Sequence, residues 1–260
     1  ATRVDKLSTD ARQLFKLISV LNQEFTIDLL YYLYHGEMSS EKLLSLIDEG
    51  MTFGIIWYST GGEGVYNFIH EKIRYKLYNA IPDDEKKELH YRCALFFEEN
   101  YSRKPGDSIF ILLFHYLKSK NNENSLYYLD IAISYAFEFY SSFETSIYLD
   151  EAIKILLIKN RTAKETEKLL DYILRYVGVS TNMGQLNENF TRLLEALNIA
   201  NDTSFHEYAV NIMIALGRID FLKGNPNEAQ LWYEKALALA KDINNSSLIG
   251  LVYKYFGLNN

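Results

Sequence analysis

Apolar residues recur at helical spacing along most of this 260-residue chain. Near the start, Leu14, Phe15, Leu17, Ile18 and Leu21 share one face of a segment that Ser8 is placed to cap and that carries Asp10 in its first turn. The spacing predicts helices over 7–21, 26–34 and 40–49, the last carrying Leu43, Leu44, Leu46 and Ile47. The period then changes. In GIIWYSTGGEGVYNFIH two β-rich runs, 55–58 and 65–68, flank a glycine-rich turn, which predicts a β-hairpin. Three helices followed by a hairpin is the order of a winged helix. A helix running to Tyr78 and another opening at Pro82-Asp83-Asp84 follow, with proline and acids suited to a first helical turn. Beyond Lys104-Pro105-Gly106-Asp107 a change of composition predicts a short linker.

From there on the pattern is helix after helix, separated by the polar breaks KNNENS, KNRTAK, GNPN and DINNSS. Paired antiparallel helices at this scale predict an array of repeats. Residues 141–157 form the second helix of one unit, with 125–139 as its partner. Residues 162–200 form another pair, broken between Gly178 and Gly184. The expected fold is therefore all-α with a small β-hairpin: a winged-helix-like domain over 1–104 and an irregular helical-repeat solenoid over 105–260.

The clearest repeat carries Leu216-Gly217, Gly224, Ala229, Tyr233 and Ala236, small residues where two helices cross and bulky ones in the gaps. This pattern resembles a tetratricopeptide repeat over about one full unit. Asp220 and Lys241 depart from it, at positions usually aromatic and often proline, and Phe221 is expected to supply the missing ring. Forty positions on, Phe256-Gly257 repeats Leu216-Gly217, with Tyr253 in the usual aromatic slot. Helix 226–241 needs a partner on each side, and the apolar set Leu251, Val252, Tyr253, Tyr255 and Phe256 does not make a polar cap. Tyr253 and Phe256 are accordingly expected at an exposed end, in a fragment of a longer array or under a partner, with self-association through that end.

The stretch YNFIHEKIRYKLYNAIPDDEKKELHYRCALFFEEN, together with LFKLISVLNQEFTIDLL near the start, is similar to a region of STAND-type signalling ATPases. In that family a P-loop ATPase domain precedes a winged helix and helical repeats. No G-x-x-x-x-G-K-[ST] occurs here, so the resemblance places ATP in an upstream domain and implies no cofactor for this chain. It also implies that His70 and Arg74, one helical turn apart, belong to an interface with the nucleotide domain, against the plainer alternative of a solvated helix start.

Composition narrows the function. Asp and Glu outnumber Lys and Arg by 34 to 27, and the first hundred residues hold sixteen acids against eleven bases, so the charge opposes direct nucleic-acid binding. The third predicted helix ends in Asp48-Glu49, where a recognition helix would want cations. A single cysteine, Cys93, excludes an intrachain disulfide and fits a reducing, cytoplasmic compartment. No run approaches the apolar length of a membrane span. His70-Glu71-Lys72-Ile73-Arg74 lacks the second histidine of a zinc helix, and His35, His90, His115 and His206 are scattered, so no metal is expected. His90 and His115, beside apolar runs, are expected to be hydrogen-bonded packing residues. No catalytic residues emerge, and the chain is expected to be no enzyme. The leading expectation is the regulatory, sensing and protein-interaction portion of a larger STAND-type ATPase regulator of transcription or signalling. A protein or peptide, or a small ligand, would sit in the repeat groove, lined in part by tyrosines. The alternative is a free-standing adaptor or scaffold.

Overall fold

The computed structural model describes residues 3–21, 24–34, 38–59, 64–101, 107–139, 142–158 and 160–258. The linker at 104–106, the tip of the hairpin at 60–63, His35 and Tyr140 lie outside them. The chain is mostly helical with a small sheet, and it divides into two compact units, Ala1–Tyr128 and Leu129–Asn260.

In the first unit, helix α1 (Thr9–Ile18) starts where Ser8 Oγ accepts the Ala11 amide at 3.2 Å. Glu49, at the far end of α3 (Ser40–Thr52), accepts from the Ser8 amide and hydroxyl at 2.5 and 2.8 Å, fixing α1 on α3. Between them, Phe25–Thr26 forms strand β1 and α2 spans Ile27–Leu33, with Thr26 as its cap. Strands β2 (Ile56–Tyr58) and β3 (Val65–Phe68) pair antiparallel, Trp57 opposite Asn67. β1 adds to the other edge of β3, so the expected hairpin is a three-stranded sheet of order β1-β3-β2. Period-two alternation turns Tyr66 and Phe68 inward, where Phe25 stacks on Tyr66 and Phe15 meets Phe68 edge-on. Gly50 is obligatory: a Cβ there would lie 2.1 Å from Phe15 Cζ.

Helices α4 (Glu71–Asn79), α5 (Asp83–Tyr101) and α6 (Asp107–Ser119) follow. His90 and His115 meet in the packing of α5 on α6, their Nδ1 atoms 3.0 Å apart, while the Tyr78 hydroxyl lies 3.1 Å from His90 Nε2. Burial holds both imidazoles well below their ordinary range, so one neutral ring donates and the other accepts. Glu98 accepts from the hydroxyls of Tyr116 and Tyr128 at 2.7 and 2.6 Å, and those rings stack 5.3 Å apart. Cys93 is fully buried, and burial pushes its thiol up, away from the reactive thiolate. Helix α7 (Asn122–Phe139) begins in this unit.

The second unit is built by repetition. Helices α8 (Ser142–Leu156), α9 (Ala163–Thr181), α10 (Leu186–Asp202), α11 (His206–Leu222), α12 (Pro226–Asp242) and α13 (Ser246–Leu258) each pack on the next. Alternate helices also touch. α11 packs on both α9 and α13, Arg192 of α10 bonds Asp150 of α8 at 2.9 Å, and Phe190 of α10 meets Trp232 of α12 edge-on. The turns recur too: Gly184, Ser204, Gly224 and Asn244 all have positive φ, at twenty-residue intervals. After each, a backbone amide bonds back to a carbonyl five residues earlier: Gln185 to Ser180, Phe205 to Ala200, Asn225 to Asp220, Asn245 to Ala240. One helix pair thus repeats every forty residues, against the 34 of a regular tetratricopeptide unit.

The break expected near Gly178 to Gly184 falls toward the end of that stretch: α9 runs through Gly178 to Thr181, and Gly184 is the left-handed turn residue. One expectation is corrected here. Phe221 does not supply the missing ring. It is 42% exposed, whereas Asp220 is buried and accepts the Trp232 indole N–H at 3.0 Å. The equivalent position forty residues earlier, Ser180, donates to the amide oxygen of buried Asn189 at 2.9 Å. A polar bond between successive helices therefore occupies this position in both units.

Candidate interaction groove

Helices α9, α11 and α13 run side by side, and their facing surfaces bound a groove of about 240 Å³. Leu174, Val177, Gly178 and Thr181 contribute one wall, Asn211, Ile214, Ala215 and Arg218 the floor, Leu251 and Tyr255 the other wall. Their spacing of three and four is that of one helix face. Leu174 and Ile214, Gly178 and Arg218, Asn211 and Leu251, Ala215 and Tyr255 are equivalent at the forty-residue period. The groove is thus a product of the repeat.

Gly178 is informative. A Cβ on it would meet nothing within 4 Å, and its φ is not positive, so neither packing nor backbone geometry calls for glycine. An interior helical glycine costs about 1 kcal/mol against alanine. What it provides here is depth in the groove.

Each end of the groove has its own charge. Toward the start of α11, a second cavity of about 340 Å³ is lined by Glu167, Ser204, Phe205, His206, Glu207, Tyr208 and Ile243. Glu167 and Glu207 are equivalent positions of successive units, and Asn245 Nδ2 donates to Glu207 Oε1 at 2.9 Å. The Phe205 and Tyr208 rings stand edge to face, 6.0 Å apart. Burial, then the nearby charges of Asp171, Glu167 and Glu207, push the Tyr208 phenol up. Toward the other end, Arg218 is exposed and has no ion pair or hydrogen bond among the described residues.

The residues singled out in the sequence fall in three places. Leu216, Ala229, Tyr233 and Ala236 are buried in the α11–α12 packing, and a Cβ on Gly217 would lie 2.5 Å from Tyr233 Cε1. Gly224 is the left-handed residue of the turn. At α13, Tyr253 is 53% exposed, but Phe256 packs edge-on against Tyr233 at 5.7 Å and Val252 is buried, so only part of that set faces outward. His70, at the N-cap of α4, is exposed. Arg74 is engaged within the first unit, holding the Glu71 carboxylate and donating to the Ser19 carbonyl at 2.8 Å. Among the described residues no group of three metal-ligating side chains occurs, and no helix is long and apolar enough to cross a membrane. Sequence inspection missed Asn211 and Arg218. The signal was there as a polar stripe, Glu207, Asn211 and Arg218, on a helix otherwise rich in apolar residues.

Comparison with known proteins agrees with this geometry over part of the chain. The family model described as Tetratricopeptide repeat matches residues 173–242, which covers the C-terminal half of α9 and all of α10, α11 and α12. The second unit contains tetratricopeptide-like helical repeats. No curated protein matches the chain in sequence. Among solved structures, one similar chain is a Signal Transduction ATPase with Numerous Domains (STAND) protein with a tetratricopeptide repeat sensor from Pyrococcus horikoshii. It has 16% identity and a TM-score of 0.42, over 98% of this chain and 48% of that one. The chain described here thus spans about half the length of that protein.

Proposed function

We propose that this chain is a non-catalytic sensing and protein-interaction module, in which the groove across α9, α11 and α13 captures a segment of a partner protein. The observation that carries the reading is that groove: a concave, mostly apolar surface on matched helix faces, deepened by a glycine that packing does not require. The matched repeats are a fold suited to this use. The motif run 66–100, with three helices and a sheet before it, supports a larger context. In it the first unit is a structural winged helix of a STAND-type cytoplasmic regulator whose ATP site lies in an upstream domain.

The test is selection of binding peptides from a random library displayed on phage, against the whole chain and against Ala215→Trp, which fills the groove floor. The reading expects binders that compete with one another and lose affinity at least tenfold on Ala215→Trp at an unchanged melting temperature. Binders indifferent to that substitution, or no binders at all, would overturn it.

A further inference from the structure

Resting on the groove as a protein-binding surface, we infer that its partner is an extended segment carrying a basic and an acidic side chain about five residues apart, with apolar residues between them. The two ends of the groove dictate this. At one end Glu167 and Glu207 repeat the same acidic position on neighbouring helices, while Asp171, one turn further along α9, is paired with Arg175 at 3.7 Å. Glu207 is held in place by Asn245, and Glu167 has no ion pair among the described residues. Beside them, the crossed rings of Phe205 and Tyr208 offer aromatic surface, so a guanidinium or ammonium group finds carboxylates and π-faces in one cavity. At the other end, Arg218 is a permanent cation with no ion pair among the described residues.

The spacing follows from helix geometry. Glu207, Asn211 and Arg218 lie on one face of α11, the first in the acidic cavity and the other two in the groove, so the two cavities lie one after the other along the same helix face. Glu207 and Arg218 stand three turns apart, about 16 Å along the axis. Extended chain covers that distance in about five residues. Between the charges the occupant meets Leu174, Gly178, Ile214, Ala215 and Leu251, which suits small or branched apolar side chains. A helical occupant would need about eleven residues for the same span.

The experiment measures binding of labelled hexapeptides to the whole chain by fluorescence anisotropy. The probes are Arg-Ser-Leu-Leu-Ser-Glu, its reverse Glu-Ser-Leu-Leu-Ser-Arg, and Gln-Ser-Leu-Leu-Ser-Gln, all with blocked termini. One of the two charged peptides should bind at least tenfold more tightly than the neutral one. Arg218→Glu should abolish that advantage, and replacing the peptide's glutamate by lysine should restore it on that variant. Glu167→Gln with Glu207→Gln should weaken the charged peptide to the level of the neutral one. All three sites are exposed, so melting temperatures should stay unchanged. Equal binding of charged and neutral peptides, lost on Ala215→Trp, would overturn the charge pairing and leave the groove standing. Binding that ignores Arg218→Glu and Ala215→Trp alike, or no binding by any probe, would overturn the inference outright.

Discussion

Phe15 over Gly50 in the first unit and Tyr233 over Gly217 in the second are the same kind of contact, a ring lying where a Cβ would stand. What surrounds them differs. Phe15 meets Phe68 from the sheet, and the rest of its unit is likewise held by contacts that occur once, such as the His90–His115 pair and the Glu98–Tyr116–Tyr128 cluster. Tyr233 sits in a scheme used over and over: Ala229, Tyr233, Ala236 and Ala240 are buried along α12, and Asn189, Leu193, Ala196 and Ala200 are buried in the equivalent places of α10. A unit made of singular contacts fails wherever one is lost. A repeated unit spreads its stability over nearest-neighbour interfaces and leaves one face of every second helix free for binding.

The chain has two tryptophans, Trp57 in the first unit and Trp232 in the second, so Trp57→Phe and Trp232→Phe backgrounds let each unit be followed separately. The largest expected effect is from Ala229→Glu, which buries an unpaired carboxylate between α11 and α12. It should cost the second unit about 4 kcal/mol in urea unfolding read at Trp232, and leave the Trp57 transition in place. Equal losses in both transitions would contradict the division into units.

Gly50→Ala should cost the first unit about 3 kcal/mol, because the sealed Phe15 ring cannot move aside and the clash outweighs alanine's helix propensity. Gly217→Ala should cost the second unit about 2 kcal/mol, with partial recovery in a Tyr233→Leu background. Neutral behaviour of either single variant would break the parallel between the two ring contacts.

Acid should act on the first unit through His90 and His115. Their folded-state affinity for protons is depressed by burial, so below about pH 6.5 the unfolded chain binds protons that the folded one refuses. Stability therefore falls as pH drops through that value, by up to about 1.4 kcal/mol per pH unit for each histidine. Replacing both residues by Leu and Phe should flatten the Trp57 transition between pH 7 and 5.5, and an unchanged slope would remove the pair from the account. The smallest effect is a gain. Ser204 holds a left-handed conformation that glycine adopts freely, so Ser204→Gly should stabilise the second unit by about 1 kcal/mol in the same urea series. A loss would mean that its side chain matters more than its backbone.

The boundaries of α11 and α12 and their contact residues were legible because the information is local and periodic: Leu216, Gly217, Ala229 and Tyr233 declare a helix crossing within eighteen residues. Strand β1 was not, since Phe25–Thr26 is a strand only through its pairing with β3 forty residues away. The break after α9 was legible to within a few residues, and its exact place, at Gly184 and not at Gly178, was not, because tertiary packing overrides a single glycine's propensity. Asp220 looked like a defect in the repeat until its partner Trp232 was placed beside it. The groove was the least visible feature, being assembled from three helices whose lining residues only the forty-residue register brings together.

The most direct test of the central claim is hydrogen–deuterium exchange of the whole chain with and without a peptide selected for binding it. The account predicts protection concentrated in α9, α11 and α13 around Leu174–Gly178, Asn211–Arg218 and Leu251–Tyr255, with the first unit unchanged. Protection centred on α10 and α12, or within Ala1–Tyr128, would contradict it.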